Sequence, residues 1–280
     1  MSLGLSHEMA VACRLALQAA ALVRRFAGQP LQVQKKSDGE PVTQADLEAS
    51  ALIVDQLAKE FPDDAILSEE SPDDGSRLRK SRVWFIDPID GTRDFIRGAN
   101  GYVVMIGLAI DGRPALGAVA QPSSGNLWSG VAGQGAWRDQ PDGTRVPLRT
   151  STLEKPPGVR IVVSQSRHSP EIDAFRLALG VTDETTMGSV GMKVALISQG
   201  DRDLYLYPGA HTKLWDTCAP EAILIAAGGR LSDIDGRPLV YTEPELNNLR
   251  GVVATNGPLH NHVLHALATV RENRSSVVPR

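Results

Sequence analysis

Four β-patterned runs follow one another in the middle of the chain, at residues 102–110, 114–121, 126–131 and 135–138, and the links between them are short. Asp111-Gly112 and Ser123-Ser124-Gly125 are turn chemistry. Links of that length fold a strand back on its neighbour, whereas a parallel partner needs a crossover of about a dozen residues or more. The block therefore predicts antiparallel neighbours. Ahead of it, residues 7–27 place Met9, Ala12, Leu15, Ala16, Ala19, Leu22, Val23 and Phe26 at helical spacing, closed by Gly28 and Pro30. Lys35 to Pro41 reads as a loop or hairpin. Thr43 reads as the N-cap of a second helix, with Asp46 as its capping-box partner, running to Phe61 before Pro62. Residues 72–82 read as a polar surface segment.

Behind the strands the pattern changes. Residues 139–158 are rich in Pro, Gly and Thr and mark a candidate boundary between a unit 1–150 and a unit 151–280. Beyond it the expected order is strand 160–163, helix 170–179, helix 189–199 and strand 203–207. A helix over 221–227 follows, with Pro220 in its first turn, then strand 252–254, helix 259–271 and a loose tail from Asn273. Alternation of this kind predicts an α/β layer, so the fold class is α/β with an α+β N-terminal half.

Composition narrows the function. With 280 residues, 42% hydrophobic, the chain can bury a large core. Lys and Arg number 29 against 33 Asp and Glu, so no basic excess suits a nucleic-acid polymer. Binding an anion then requires cations concentrated locally, or a bound metal. The two cysteines, Cys13 and Cys218, form no CxxC pair and read as small buried or half-buried thiols of a reducing compartment. Arg14, Arg24 and Arg25 interrupt the apolar stretch 9–27, which argues against a signal peptide or membrane span; a cytoplasmic protein is expected.

The most informative segment follows the apolar run Val83-Trp84-Phe85-Ile86. It reads Asp87-Pro88-Ile89-Asp90-Gly91-Thr92-Arg93-Asp94. Two carboxylates three residues apart, on a turn forced by Pro88 and Gly91, can converge on one point, and Gly91 lets the chain approach an anion closely. Hard oxygen ligands of this kind suit Mg²⁺, which keeps positions for water and substrate phosphate. If a helix opens at Gly91-Thr92, its free N–H groups would hold a phosphate. Three further acids stand at the ends of separate elements: Glu69 in Ser68-Glu69-Glu70-Ser71, Asp216 after Trp215, and Asp46. Each alone reads as an acidic loop or a helix cap. Together with Asp87 and Asp90 they supply what a two-metal site requires.

With those residues in view, the chain resembles the lithium-sensitive, magnesium-dependent phosphatase superfamily of inositol monophosphatase, fructose-1,6-bisphosphatase and 3'(2'),5'-bisphosphate nucleotidase. The first signature is matched by residues 84–92. The second is matched by Trp215-Asp216-Thr217-Cys218-Ala219-Pro220-Glu221-Ala222-Ile223-Leu224 with Gly228-Gly229. The resemblance implies a layered αβαβα fold. It also implies two or three Mg²⁺ held by Glu69, Asp87, the carbonyl of Ile89, Asp90 and Asp216. Thr92 paired with Asp46 would help activate the attacking water, with Glu69 near it, and Lys36 would lie close to the site. The implied partner is a small phosphate ester, with no membrane; a homodimer is compatible with the family.

Lys213-Leu214-Trp215-Asp216-Thr217-Cys218-Ala219-Pro220-Glu221 is most similar to the bisphosphate nucleotidase branch. Inositol monophosphatases place a glutamate seven residues before the metal aspartate, and here that position is Gly209. A site built for inositol hydroxyls needs such an acceptor. The expected substrate contacts are Lys36, Gly91, Thr92, Ser164, Ser166, Arg167 or His168, Ser189, Lys193, Lys213 and Asp216. The first reading is thus a nucleotidase acting on adenosine 3',5'-bisphosphate. An inositol monophosphatase or broad sugar phosphatase is second, and a non-catalytic binding protein third. His260, His262 and His265 read as surface histidines of the terminal helix.

Overall fold

The computed structural model describes residues 4–36, 39–164, 170–181 and 183–275. Helices α1 (Ser6–Phe26) and α2 (Gln44–Glu60) flank a small hairpin, β1 (Val33–Lys35) and β2 (Pro41–Thr43). A seven-stranded sheet follows in sequence order: β3 (Ala65–Ser68), β4 (Arg82–Asp90), β5 (Val103–Ile110), β6 (Arg113–Ala120), β7 (Leu127–Val131), β8 (Gly135–Asp139) and β9 (Arg145–Pro147). Only β3 and β4 run parallel in it; every later pair is antiparallel, and among β5, β6, β7 and β8 the short links impose this, as expected. A short helix, α3 (Thr92–Ile96), leaves the end of β4. The second sheet contains β10 (Arg160–Ser164), β11 (Asp183–Met187), β12 (Leu204–Tyr207), β13 (Arg230–Ser232) and β14 (Val252–Thr255), in the order β11-β10-β12-β14-β13. Four helices accompany it: α4 (Pro170–Ala178), α5 (Val190–Ser198), α6 (Leu214–Ala226) and α7 (His260–Ser275).

Alternation along the strands builds the layers. Trp84 and Ile86 of β4, with Val104, Ile106 and Leu108 of β5, pack against the buried stripe of α1 and against α2. Their neighbours Val83, Phe85, Val103 and Met105 point the other way, onto α5 and α6. Those two helices carry the second sheet on their far side, through Tyr205, Val252 and Ala254. Phe175 of α4 and Val263 and Leu267 of α7 cover that sheet's outer face. The result is the αβαβα stack.

A row of glycines sets how closely α6 lies on the first sheet. Gly107, Gly117 and Gly130 are cross-strand partners on β5, β6 and β7, so they form a shallow channel. A Cβ at Gly107 would come within 2.6 Å of the Ala219 amide, and one at Gly117 would run into the Ala219 carbonyl. Helix α6, drawn from the second half of the chain, rests in that channel.

Several sequence expectations are corrected. Helix α6 starts at Leu214, not near Pro220, because the Asp216 carboxylate accepts the Lys213 N–H at 2.8 Å and opens the helix there. Pro220 sits inside it, tolerated by burial on both sides at the loss of one backbone bond. The segment 72–82 is not wholly surface: Arg77, 1% exposed, reaches Asp73 and the carbonyls of Glu243 and Pro244. His260 is also buried, between the hydroxyls of Ser232 and Thr255, while His262 and His265 are exposed. Asn273 continues α7 rather than beginning a tail.

Candidate active site

A regular strand would send the side chains of Asp87 and Asp90, an odd number of residues apart, to opposite faces. Strand β4 does not end at Ile86 but runs on to Asp90, and its pairing slips: Asp87 stands opposite Met105 and Asp90 opposite Val103. Three steps on β4 match two on β5, so one residue is extra. This bulge, at Pro88-Ile89, turns both carboxylates to one side. The Ile89 N–H donates to Asp87 Oδ1 at 3.0 Å and fixes the kink. Gly91 then takes φ +97°, and a Cβ there would press within 3.2 Å of the Gly101 carbonyl, so glycine is required twice over. Thr92 begins α3.

These residues line a cavity of about 220 Å³, together with Glu69 from the end of β3 and Asp216 from the first turn of α6. Asp46 lies just behind the wall. Its Oδ2 accepts the Thr43 N–H at 2.8 Å and the Thr43 hydroxyl at 2.6 Å, which is the expected capping role. Its Oδ1 lies 3.2 Å from the Thr92 hydroxyl, which is also 3.0 Å from the Ile89 carbonyl. Lys36 holds Glu69 and Glu70 together, its Nζ 2.7 Å from each. Burial raises the Glu70 carboxyl to about 7 even with Lys36 beside it.

Ser189 was expected to touch substrate. It is fully buried and does not line the cavity: as the N-cap of α5 it accepts the Met192 N–H and donates to Asp90 Oδ2 at 2.6 Å, alongside the Gly191 N–H at 2.7 Å. The start of α5 thus binds the Asp90 carboxylate. Lys193 lines the cavity while donating to the Gly188 carbonyl at 2.8 Å, and Lys213 lines it with its ammonium over the Trp215 ring. Ser164 also faces it. Ser166, Arg167 and His168 lie outside the described residues. Not anticipated at the cavity were Arg93, Arg97, Tyr205, Tyr207 and His211. The arginines follow directly on the Asp-Gly-Thr segment, which was a usable signal. The tyrosines alternate on β12 with core residues and carried none.

Residues 5–273 match the inositol monophosphatase family. The chain belongs to that family. Among curated inositol monophosphatase relatives, the 3'(2'),5'-bisphosphate nucleotidase CysQ of Escherichia coli is 35% identical over 237 residues, covering 83% of this chain and 93% of that one. The 3'-phosphoadenosine 5'-phosphate phosphatase of Mycobacterium tuberculosis is 35% identical over 227 residues, covering 75% and 77%. Among solved structures, CysQ from Bacteroides thetaiotaomicron superposes with TM-score 0.75 at 26% identity over 90% of this chain and 98% of that one. An inositol monophosphatase from Zymomonas mobilis gives 0.76 at 30% identity over 95% and 99%.

The donor set fits a hard divalent cation. Burial, then the neighbouring acids, holds the Asp87 and Asp216 carboxyls well above the usual carboxylate range, and burial raises Asp90 against the pull of Lys193. A cation relieves that repulsion, and an all-oxygen set is what Mg²⁺ takes in preference to softer metals. Among the described residues no three acidic, His or Cys side chains are grouped to hold an ion as they stand, so the carboxylates share a wall that an ion must draw in. At Gly209, where the inositol branch of the family carries its glutamate, a side chain would start 2.5 Å from the Tyr207 hydroxyl.

Proposed function

We propose that this protein is a magnesium-dependent 3'(2'),5'-bisphosphate nucleotidase that removes the 3'-phosphate of adenosine 3',5'-bisphosphate to give AMP and phosphate. One observation carries the reading: Glu69, Asp87, Asp90 and Asp216, from three separate elements, face a single cavity whose lining also includes Arg93, Arg97 and Lys213. The acids suit cations, and the basic residues of the same cavity suit a second phosphate. Two relatives at 35% identity, named for this activity, support the substrate. The tyrosine filling the space beside Gly209 speaks against inositol.

Glu69, Asp87, Asp90, Asp216 and the Ile89 carbonyl would hold two or three Mg²⁺. Bound there, Mg²⁺ lowers the pKa of a water and neutralises charge on the leaving oxygen. Asp46, fixed by Thr43, accepts the Thr92 hydroxyl proton at Oδ1, which leaves a Thr92 lone pair to take a proton from the attacking water, with Glu69 on the water's other side. Lys36 keeps Glu69 in place. The amides of Gly91 and Thr92 hold the transferred phosphate at the start of α3. Ser164, Lys193 and Lys213, with Ser166 and Arg167 or His168, hold the nucleotide. Ser189 acts through Asp90.

The test compares kcat/KM for adenosine 3',5'-bisphosphate, inositol 1-phosphate and fructose 1,6-bisphosphate under Mg²⁺, with and without Li⁺. The nucleotide is expected to be preferred by at least about tenfold, and Li⁺ to inhibit. Preference for either sugar-like substrate reassigns the substrate. Turnover that survives exhaustive chelation removes the metal.

A further inference from the structure

The third residue of α3 is a buried acid with no role in the chemistry above. Asp94 is 4% exposed and lines the cavity. Its carboxylate sits against two glycines from different connecting segments: a side chain at Gly101 would start 2.7 Å from Oδ2, and one at Gly188 would run into the same oxygen. Both glycines lack positive φ, so what they provide is space for this carboxylate. Among the described residues nothing donates a hydrogen bond to it, and no Lys, Arg or His lies within ion-pair distance, although Arg93 and Arg97 line the same cavity. A buried carboxylate can only accept, and leaving it without a donor is strongly unfavourable. Here the remaining open direction is the cavity.

We infer that Asp94 is a specificity-determining residue that accepts a hydrogen bond from an uncharged O–H or N–H group of the nucleoside. The inference rests on the nucleotidase reading. A phosphate is excluded as the partner, because two anions would repel. A nucleoside 3',5'-bisphosphate offers two kinds of neutral donor, the 2'-hydroxyl and the 6-amino group of adenine. Asp94 lines the same cavity as Thr92, two residues on along the chain, so the 2'-hydroxyl, adjacent to the 3'-phosphate, is the nearer candidate. The carboxylate also sets direction: it repels the 5'-phosphate, which is left to the basic residues of the lining, Arg93, Arg97 and Lys213.

The experiment measures kcat/KM under Mg²⁺ for the wild type, Asp94→Ala and Asp94→Asn on four substrates. These are adenosine 3',5'-bisphosphate, its 2'-deoxy analogue, inosine 3',5'-bisphosphate and p-nitrophenyl phosphate, which has no nucleoside. The wild type is expected to lose about 10- to 100-fold on the analogue lacking the donor. Asp94→Ala shows that same loss on the full substrate, no further loss on that analogue, and unchanged turnover of p-nitrophenyl phosphate. Asp94→Asn, which keeps the volume and an acceptor oxygen, loses less. Which analogue is affected, 2'-deoxy or inosine, identifies the group. A wild type that prefers nucleotides but treats all three alike overturns the inference, as does an equal loss on all four substrates in both variants. A wild type that hydrolyses p-nitrophenyl phosphate and no nucleotide overturns the nucleotidase reading and takes this inference with it.

Discussion

Asp46 and Thr92 are 46 positions apart, and a single proton connects them. The Thr92 hydroxyl can donate to Ile89 at 3.0 Å or to Asp46 at 3.2 Å, so ground-state geometry leaves it shared and the Asp46 charge decides where it goes. Thr92→Val is expected to lower kcat by about 10²- to 10⁴-fold with little change in KM, while Thr92→Ser stays within about tenfold. Equal losses in the two variants would mean that the hydroxyl only packs. Asp90→Asn should abolish turnover while the protein still melts cooperatively; a binding protein of the same fold would be indifferent to it. A second acid matters for stability instead of rate. Glu221, buried between α6 and Tyr241, which donates to its Oε2 at 2.5 Å, is pushed by burial up to about 8. The folded state therefore keeps a proton that the unfolded chain releases near 4.5, and stability falls as pH rises between 4.5 and about 8. Glu221→Gln should remove most of that slope, a gain on the order of 3–5 kcal/mol at the alkaline end and little at pH 4. Melting curves across pH give the answer, and parallel curves for both proteins would contradict it.

Most elements were legible because local rules governed them. The capping pair Thr43 and Asp46, the turns Asp111-Gly112 and Ser123-Ser124-Gly125, and the apolar stripe of α1 act within a few residues, and each appears where the sequence placed it. What failed to show was set by partners far along the chain. Strand β4 continues through Pro88 because β5 supplies a register into which a bulge fits, and no reading of Asp-Pro-Ile-Asp alone separates a bulge from a turn. Arg77 looked like surface charge, since its carbonyl partners at 243 and 244 lie 166 and 167 residues away. The acids that line the cavity were readable as a motif; the role of Ser189 as a prop for Asp90 was not, because a helix cap and a substrate contact share one sequence. The glycine row shows the same limit, and it links packing to the site. Gly117→Ala forces a Cβ against the Ala219 backbone and so lifts α6, which carries Asp216 in its first turn. Overpacking against backbone should cost about 3 kcal/mol and raise the Mg²⁺ concentration needed for half-maximal activity in parallel. Gly133→Ala, at an open turn with nothing within 4 Å, is the control for a strained glycine that touches nothing. If Gly117→Ala melts lower but keeps its Mg²⁺ requirement unchanged, the sheet does not position Asp216.

At the scale of the whole molecule, the acids come from two places. Glu69, Asp87 and Asp90 lie at the ends of β3 and β4, while Asp216 arrives on α6 from the other half of the chain. Without cations, burial and mutual repulsion hold Asp87, Asp90 and Asp216 above the ordinary carboxylate range, so the folded state retains protons that the unfolded chain has lost. Stability of the metal-free protein must then fall as pH rises above the ordinary carboxylate pKa. On the proposed reading, Mg²⁺ held by these four groups would brace α6 against the first sheet. Mg²⁺ at about 100 times its Kd should stabilise the fold by about 2.7 kcal/mol, a rise in Tm of about 5 °C or more for a chain of this size. Asp216→Asn separates the two effects by sign. Asn needs neither a buried charge nor a retained proton at this position, so the metal-free variant should melt higher than the metal-free wild type. Removing a ligand weakens the brace, so its Mg²⁺-induced rise should be smaller, and the order of the two proteins should reverse as Mg²⁺ is added. Melting both at neutral pH across a Mg²⁺ titration tests this directly. Curves that shift in parallel would show that Asp216 neither repels its neighbours nor holds the ion, and the shared cavity would no longer explain why these acids were brought together.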